Sequence, residues 1–282
     1  MTGRPRPAAG RAVRRRLRSV RAGTLAWQLA LLVALLLGWE HLAGPPDQGF
    51  VLVDEFYVGS PSEAWDVLVE WQRSGELWTH AWVTVKEALL GFALGTLAGA
   101  AVGFVFGVME RTARVLSPFV TGLYAIPRLA LAPLFILWFG LDSTSKVALV
   151  VTVVFFLIFY NTLTGVRDVD RDLVNVLRIM NAPRWEIHRR VTLPSIATWI
   201  IAGLRVSVPY AFVAAVVGEM VAAREGLGML IQRANSQFNP SAMFAAIAVV
   251  VVLSLLLNLG VTLVERSVLK WKAPDAAAGP VP

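Results

Sequence analysis

Six apolar runs, each about as long as a bilayer is thick, restrict this chain more than any other feature. They are Leu25–Leu42, Val83–Val108, Leu116–Phe139, Val147–Thr164, Ile196–Val217 and Met243–Val264. A hydrocarbon core of roughly 30 Å takes about 20 apolar residues per helix. Inside it every backbone N–H and C=O must find a partner without water, and a helix does so within its own segment. The expected fold class is therefore all-α: a polytopic membrane helical bundle of six transmembrane helices. Composition agrees, with 56% hydrophobic residues, 16% charged and a mean hydropathy of +0.63; soluble domains are roughly a quarter charged.

Orientation follows from the flanks, because Lys and Arg accumulate on the cytoplasmic side. The N-terminal arm has Arg4, Arg6, Arg11, Arg14, Arg15, Arg16, Arg18 and Arg21. The loop after the second run has Arg111 and Arg114. The loop after the fourth has Arg167, Arg171, Arg178, Arg184, Arg189 and Arg190, and the C-terminal flank has Arg266, Lys270 and Lys272. These nineteen face four on the other side: Arg73, Lys146, Arg224 and Arg233. The asymmetry predicts both termini inside (N-in/C-in) and explains the net charge of +7 without nucleic acid. The first run has the basic flank of a secretory signal, but GWEHLAGPP follows with no A-x-A site, so it is expected to be retained. Residues 1–22 are expected to be a disordered basic cytoplasmic tail, contacting anionic headgroups at most. Residues 23–272 form the membrane domain, and 273–282 a second disordered tail.

The external connection is acidic. Within it Ser60-Pro61-Ser62-Glu63 has the form of a helix start, with Ser60 as cap, Pro61 in the first turn and Glu63 where a capping box needs it. Trp65, Leu68 and Trp71 give that helix an apolar stripe, which suits the membrane interface.

Ionisable residues inside spans are costly and face a cavity or a partner, unless they snorkel from a helix end. Lys86, Arg128, Arg205 and Glu219 are such residues. Pro127 and Pro133 each remove a donor and are expected to kink the third span. With Tyr124 and Tyr210, chosen by position, Pro127, Arg128, Pro133, Arg205 and Glu219 are the candidates to line a translocation route.

Several chemistries are missing. Cysteine is absent, and His41, His80 and His188 have no metal-ligand spacing, so no metal site or catalytic constellation is expected. There is no G-x-x-x-x-G-K-[ST] phosphate loop. This chain is not expected to be an enzyme or to bind a cofactor.

The fourth and fifth runs are joined by a polar segment, 166–195, too long for a plain turn. Within it Leu173, Val176, Leu177 and Met180 recur at i, i+3, i+4 and i+7, one apolar face of a short helix. Asp172 and Asn175 lie near its start, where negative charge suits the dipole. Asn181, which tolerates a left-handed backbone, breaks the run. Pro183 can start a second helix carrying Arg184, Trp185, His188, Arg189 and Arg190, and Pro194 ends the segment. The pattern is a cytoplasmic helix-turn-helix with a projecting knob. The alternative is an amphipathic loop lying on the membrane.

These residues resemble the cytoplasmic "EAA" loop of ABC-importer permeases, E-A-A-x3-G-x9-I-x-L-P. The glutamate position holds Asn175, the two alanines are Val176 and Leu177, and the glycine is Asn181; Val191, Leu193 and Pro194 close the pattern. IPRLALAPLFILWFGLDSTSK at 126–146, IAGLRVSVPYAFVAAVVGEM at 201–220 and REGLGMLIQRA at 224–234 are similar to segments of the nitrate/sulfonate/taurine-type permeases. The resemblance spans about 59–268. It implies a multi-pass component of the bacterial cytoplasmic (inner) membrane, functioning as a dimer, often of identical chains. A cytoplasmic ATPase dimer, holding ATP and Mg, would bind below, and an extracytoplasmic solute-binding protein would deliver substrate. By the same resemblance Asn181–Arg190, with Ala182 and Pro183, would be the knob that couples to the ATPase. Leu173, Val176, Leu177 and Met180 would pack it against the permease body. Independently of the resemblance, the positive charge of Arg184, Arg189 and Arg190 suits pairing with acids on the ATPase. The family's solutes suggest a small anion of sulfonate, nitrate or taurine type, although related permeases carry uncharged heterocycles. A self-contained secondary transporter or channel is the alternative reading.

Overall fold

The structure, a computed structural model, describes residues 8–44 and 53–269. Its helices are α1 (Ala8–Leu42), α2 (Glu55–Val58), α3 (Pro61–Ser74), α4 (Glu76–Val108), α5 (Glu110–Ala125), α6 (Ala132–Phe139), α7 (Ser143–Arg167), α8 (Arg171–Ile179), α9 (Arg184–Ile187), α10 (Leu193–Val221), α11 (Leu227–Ser236) and α12 (Pro240–Val268). A 3-10 turn, Arg128–Leu131, precedes α6, and a π turn, His188–Thr192, precedes α10. Two-residue strands, β1 (Ala43–Gly44) and β2 (Val53–Asp54), pair in parallel beside α2.

Among the described residues four helices are long and apolar enough to cross a membrane: α4, α7, the continuous helix Trp185–Val221, and α12. The pair Arg111–Ala125 and Arg128–Phe139, bent by 74°, makes a fifth if taken as one span. The expected six are thus four or five by this measure, because the first run gives a shorter apolar helix, Ala26–His41. Of the two expected tails, 1–7 and 273–282 lie outside the described residues, and the chain is helical from Ala8.

The frame is the α4–α7 pair. Gly91, Gly95, Gly99, Gly103 and Gly107 recur every four residues and form one ridge of α4. A Cβ on Gly95 would lie 2.9 Å from Val154 Cβ, and one on Gly103 2.7 Å from the Phe159 carbonyl oxygen. Lipid tails are as apolar as leucine, so membrane helices associate through close packing of small residues rather than through burial from water. The glycines let the backbone of α4 reach that of α7. Around this seam Ala88, Phe135, Leu149, Val154, Ile158, Ala211 and Phe212 form a buried core from α4, α6, α7 and α10. A second core, with Trp71, Leu227, Leu230, Ala245 and Ala246, joins α3, α11 and α12 to the start of α4.

Helix α3 begins as expected at Ser60, whose hydroxyl accepts from the Glu63 amide at 3.4 Å, with Pro61 in the first turn. The capping box itself is relayed. The Ser60 amide donates to Ser241 Oγ at 3.1 Å, and Ser241 Oγ donates to Glu63 at 2.7 Å, so α12 completes the cap of α3. Trp71 of the expected stripe is buried and Leu68 half-buried, while Trp65 is exposed. The end of α1 is tied to the same corner: Trp39 Nε1 donates to the Gly59 carbonyl at 3.0 Å, and Ser62 Oγ donates to Glu40 at 2.6 Å.

Candidate functional site

The segment between α7 and α10 is two short helices joined by a turn that backbone hydrogen bonds close. Asp170 caps α8, its carboxylate accepting from the Asp172 amide at 2.8 Å, and Asp172 lies in the first turn. At the other end the Ala182 amide donates to the Leu177 carbonyl and the Asn181 amide to the Arg178 carbonyl, both at 3.0 Å. Asn181 has φ of 57°. This is the paired six-to-one and five-to-two closure that satisfies a helix's last carbonyls, and it requires a left-handed residue at Asn181. The Pro183 carbonyl then accepts from the Glu186 and Ile187 amides and starts α9. Pro194, expected to end the segment where the next span begins, lies in the first turn of α10. The chain passes from α9 into α10 without a break because the wide turn at His188–Thr192 is closed by the Leu193 amide donating to the His188 carbonyl.

The expected packing of α8 is reversed. Leu173, Val176 and Met180 are exposed at 53%, 54% and 72%, and only Leu177 is half-buried. Val174, half-buried, and Asn175 and Arg178, both exposed, line a cavity beneath the helix. An apolar stripe fixes which residues share a face; it does not say whether their partner lies within the chain. What seats the knob is Ile187, buried at 7%, and His188, whose ring meets Phe104 edge-on at 5.9 Å and whose Nδ1 lies 3.3 Å from Thr192 Oγ1. Ile187 escaped the sequence reading because its stretch stands out by its charges. Trp185 projects with 61% exposure. Arg189 stacks over its ring at 5.2 Å, and Arg190 pairs with Glu186 at 2.8 Å. The Arg184 side chain lies outside the described residues.

The candidates for a route are spread over three places. Tyr124, Pro127 and Arg128 meet at the break between α5 and α6. There Arg128 Nη2 donates to the Tyr124 carbonyl at 2.6 Å, and its guanidinium lies 4.6 Å from the Tyr124 ring and 4.5 Å from the Phe156 ring. Pro127 stands in the break; Pro133 kinks nothing, since it lies in the first turn of α6, where no donor is needed. Tyr210 is on an exposed stripe of α10 with Val206 and Val213. Arg205 pairs with Glu265 of α12.

Glu219 is elsewhere, 1% exposed at the end of the bundle opposite α8. Its carboxylate accepts from Thr84 Oγ1 and from the Gly228 amide, each at 2.7 Å. The Leu227 amide donates to Thr84 Oγ1 at 2.9 Å, and the Gly226 amide to His80 Nδ1 at 2.9 Å. The Gly-Leu-Gly turn before α11 is thereby fastened to α4 and α10. Gly226 has φ of 119°, and a Cβ on Gly228 would lie 2.7 Å from that of Glu219. Buried Glu87 and Lys146 adjoin this network.

Among the described residues no group of His, Cys, Asp or Glu is arranged to hold a metal. A family profile described as "Binding-protein-dependent transport system inner membrane component" matches residues 91–270. The chain is 36% identical over 199 residues to the putative aliphatic sulfonates transport permease protein SsuC of Bacillus subtilis, covering 71% of this chain and 72% of that one. It is 34% identical over 245 residues to the riboflavin transport system permease protein RibX of Chloroflexus aurantiacus, covering 86% and 88%. In fold it is similar to a chain of the MetNI methionine ABC transporter solved in inward-facing conformations, with a TM-score of 0.60, 19% identity and coverage of 70% and 98%.

Proposed function

The chain belongs to the family of binding-protein-dependent transport system inner membrane components, and from that premise we propose that its α8–α9 knob is where a cytoplasmic ATPase attaches. The protein is a non-catalytic, multi-pass permease component of an ABC-type importer in the bacterial inner membrane. It works with a separate ATPase and a solute-binding protein. The observation that carries the proposal is the reversed α8. Leu173, Val176, Met180 and Trp185 project from a turn held by backbone hydrogen bonds. An apolar group on a rigid support transmits a push, and one on a flexible loop does not.

In this reading the charge asymmetry puts both termini and the knob in the cytoplasm, α1 and the bent α5–α6 pair complete six spans, and two copies of the chain enclose the route. Leu173, Val176 and Met180 meet the ATPase, with Asn181, Ala182 and Pro183 as the turn and Arg184, Trp185 and Arg189 at its tip. Leu177, Ile187 and His188 hold the knob to the body. Arg190, paired with Glu186, stiffens it.

For the solute, relatives named for aliphatic sulfonates and for riboflavin support a small polar molecule. Arg128, a cation held at the break between α5 and α6 beside Tyr124, favours an anion of sulfonate type, with Tyr210 of α10 further along the route. Glu219 fastens the outer turn and stays out of the route. The test is co-purification in mild detergent followed by reconstitution. An ATPase should copurify, and uptake should require both ATP and the binding protein, whose ligand identifies the solute. Uptake without ATP would instead support a self-contained carrier.

A further inference from the structure

Beneath the knob lies a cavity of about 1140 Å³ whose arginines the coupling role does not use. It opens between the ends of α4, α5 and α7 and the inward face of α8. Three arginines from three elements line it: Arg114 of α5, Arg167 of α7 and Arg178 of α8. Among the described residues ion pairs occur at Arg190, Arg205 and Arg233 and at none of these three. Among the described residues no carboxylate lines the cavity; Asp168 and Asp170 lie in the adjoining turn, and Asp170 caps α8. Three like charges around one space repel one another and invite a counter-ion. Phe106, Val108 and Val166 supply apolar lining beside them.

We propose that this cavity is a binding site for a phosphate-bearing anion, the phosphodiester headgroup of an anionic phospholipid or free phosphate, held by Arg114, Arg167 and Arg178. Guanidinium groups match phosphate oxygens in pairs of hydrogen bonds. Basic pockets at the cytoplasmic ends of membrane helices suit lipid headgroups, and the apolar lining suits the lipid better than the free ion. The location rests on the reading that the α8 end faces the cytoplasm. The ligand would bridge α8 to the ends of α5 and α7, so the knob would sit more firmly in an anionic membrane.

The purified permease–ATPase complex is examined by native mass spectrometry during titration with phosphatidylglycerol and, separately, phosphatidylcholine. The wild type should retain phosphatidylglycerol at least tenfold more tightly. The double substitution Arg114→Gln with Arg178→Gln should remove about 30-fold of that affinity, since each basic group near an anionic surface is worth roughly fivefold. The Arg114→Gln single variant, at an exposed position, serves if the double variant misfolds and should lose about fivefold. Displacement by millimolar inorganic phosphate would assign the site to the free ion, and persistence of the lipid would assign it to the headgroup. Equal retention of the two lipids, equal retention by wild type and variant, or an ATPase lost from the variant whatever the lipid would overturn the proposal. A wild type that carries no ATPase would refute the coupling reading instead.

Discussion

Thr84 of α4 donates its hydroxyl hydrogen to Glu219 of α10 at 2.7 Å, and the same oxygen accepts from the Leu227 amide at 2.9 Å. One buried side chain thus joins two spans and the turn that leads into α11. The packed glycine ridge holds α4 to α7 along their length. The Thr84–Glu219 contact fixes the end opposite α8, where side-chain polarity rather than close packing does the joining.

Thr84→Val keeps the shape and removes the hydroxyl. It leaves the Leu227 amide and one Glu219 oxygen unpaired in a buried site, at a cost of about 2–4 kcal/mol. Thr84→Ser keeps the hydroxyl and should cost much less. Thermal unfolding in detergent checks this: the Val variant should melt well below the Ser variant, and equal midpoints would remove the contact's importance.

Gly95→Leu should separate α4 from α7, since even a Cβ meets Val154 at 2.9 Å and the Val151 carbonyl oxygen at 3.0 Å. Overpacking typically costs about 1–3 kcal/mol, and more where backbone must move. Gly122→Ala, with nothing within 4 Å, is the control. Yield of monodisperse protein and its melting point should fall for the first and hold for the second.

Asn181→Gly should be tolerated, because glycine adopts φ of 57° without strain. Asn181→Ile should cost roughly 1–2 kcal/mol in that conformation and loosen the knob. Pull-down with the ATPase reads the difference. Equal recovery of the two variants would argue against a turn that must be rigid.

Ile187→Ala empties a buried anchor, with a cost of about 2–5 kcal/mol for a core position. Met180→Ala trims an exposed one. Melting should therefore drop for the first and stay near wild type for the second, while ATPase binding should weaken in both. A stable Ile187→Ala protein would mean that something else seats the knob.

The sequence carried local facts well. The left-handed Asn181, the Ser60 cap and the break at Pro127 each depend on one residue and its near neighbours, and each is present. The direction of α8 was not legible, because Leu173, Val176 and Met180 make the same stripe whichever way it points. Ile187 and Phe104, its neighbour at the knob's base through His188, come together only in three dimensions. Glu219 stands out in the sequence as an isolated acid in an apolar run; its partners Thr84 and Gly228 were not legible there because they lie on other elements. The glycines at 91, 95, 99, 103 and 107 were legible by spacing, but a hydropathy window averages them into the span.

The central claim is that the projecting apolar knob receives the ATPase. Trp185 is 61% exposed, so Trp185→Asp should leave expression and melting unchanged while placing a charge where the ATPase must pack. The measurement is ATP-dependent uptake by reconstituted wild-type and Trp185→Asp complexes, with ATPase retention read on the same preparations. The account predicts that retention and uptake both fall at least tenfold in the variant. Wild-type uptake with full ATPase retention would contradict it.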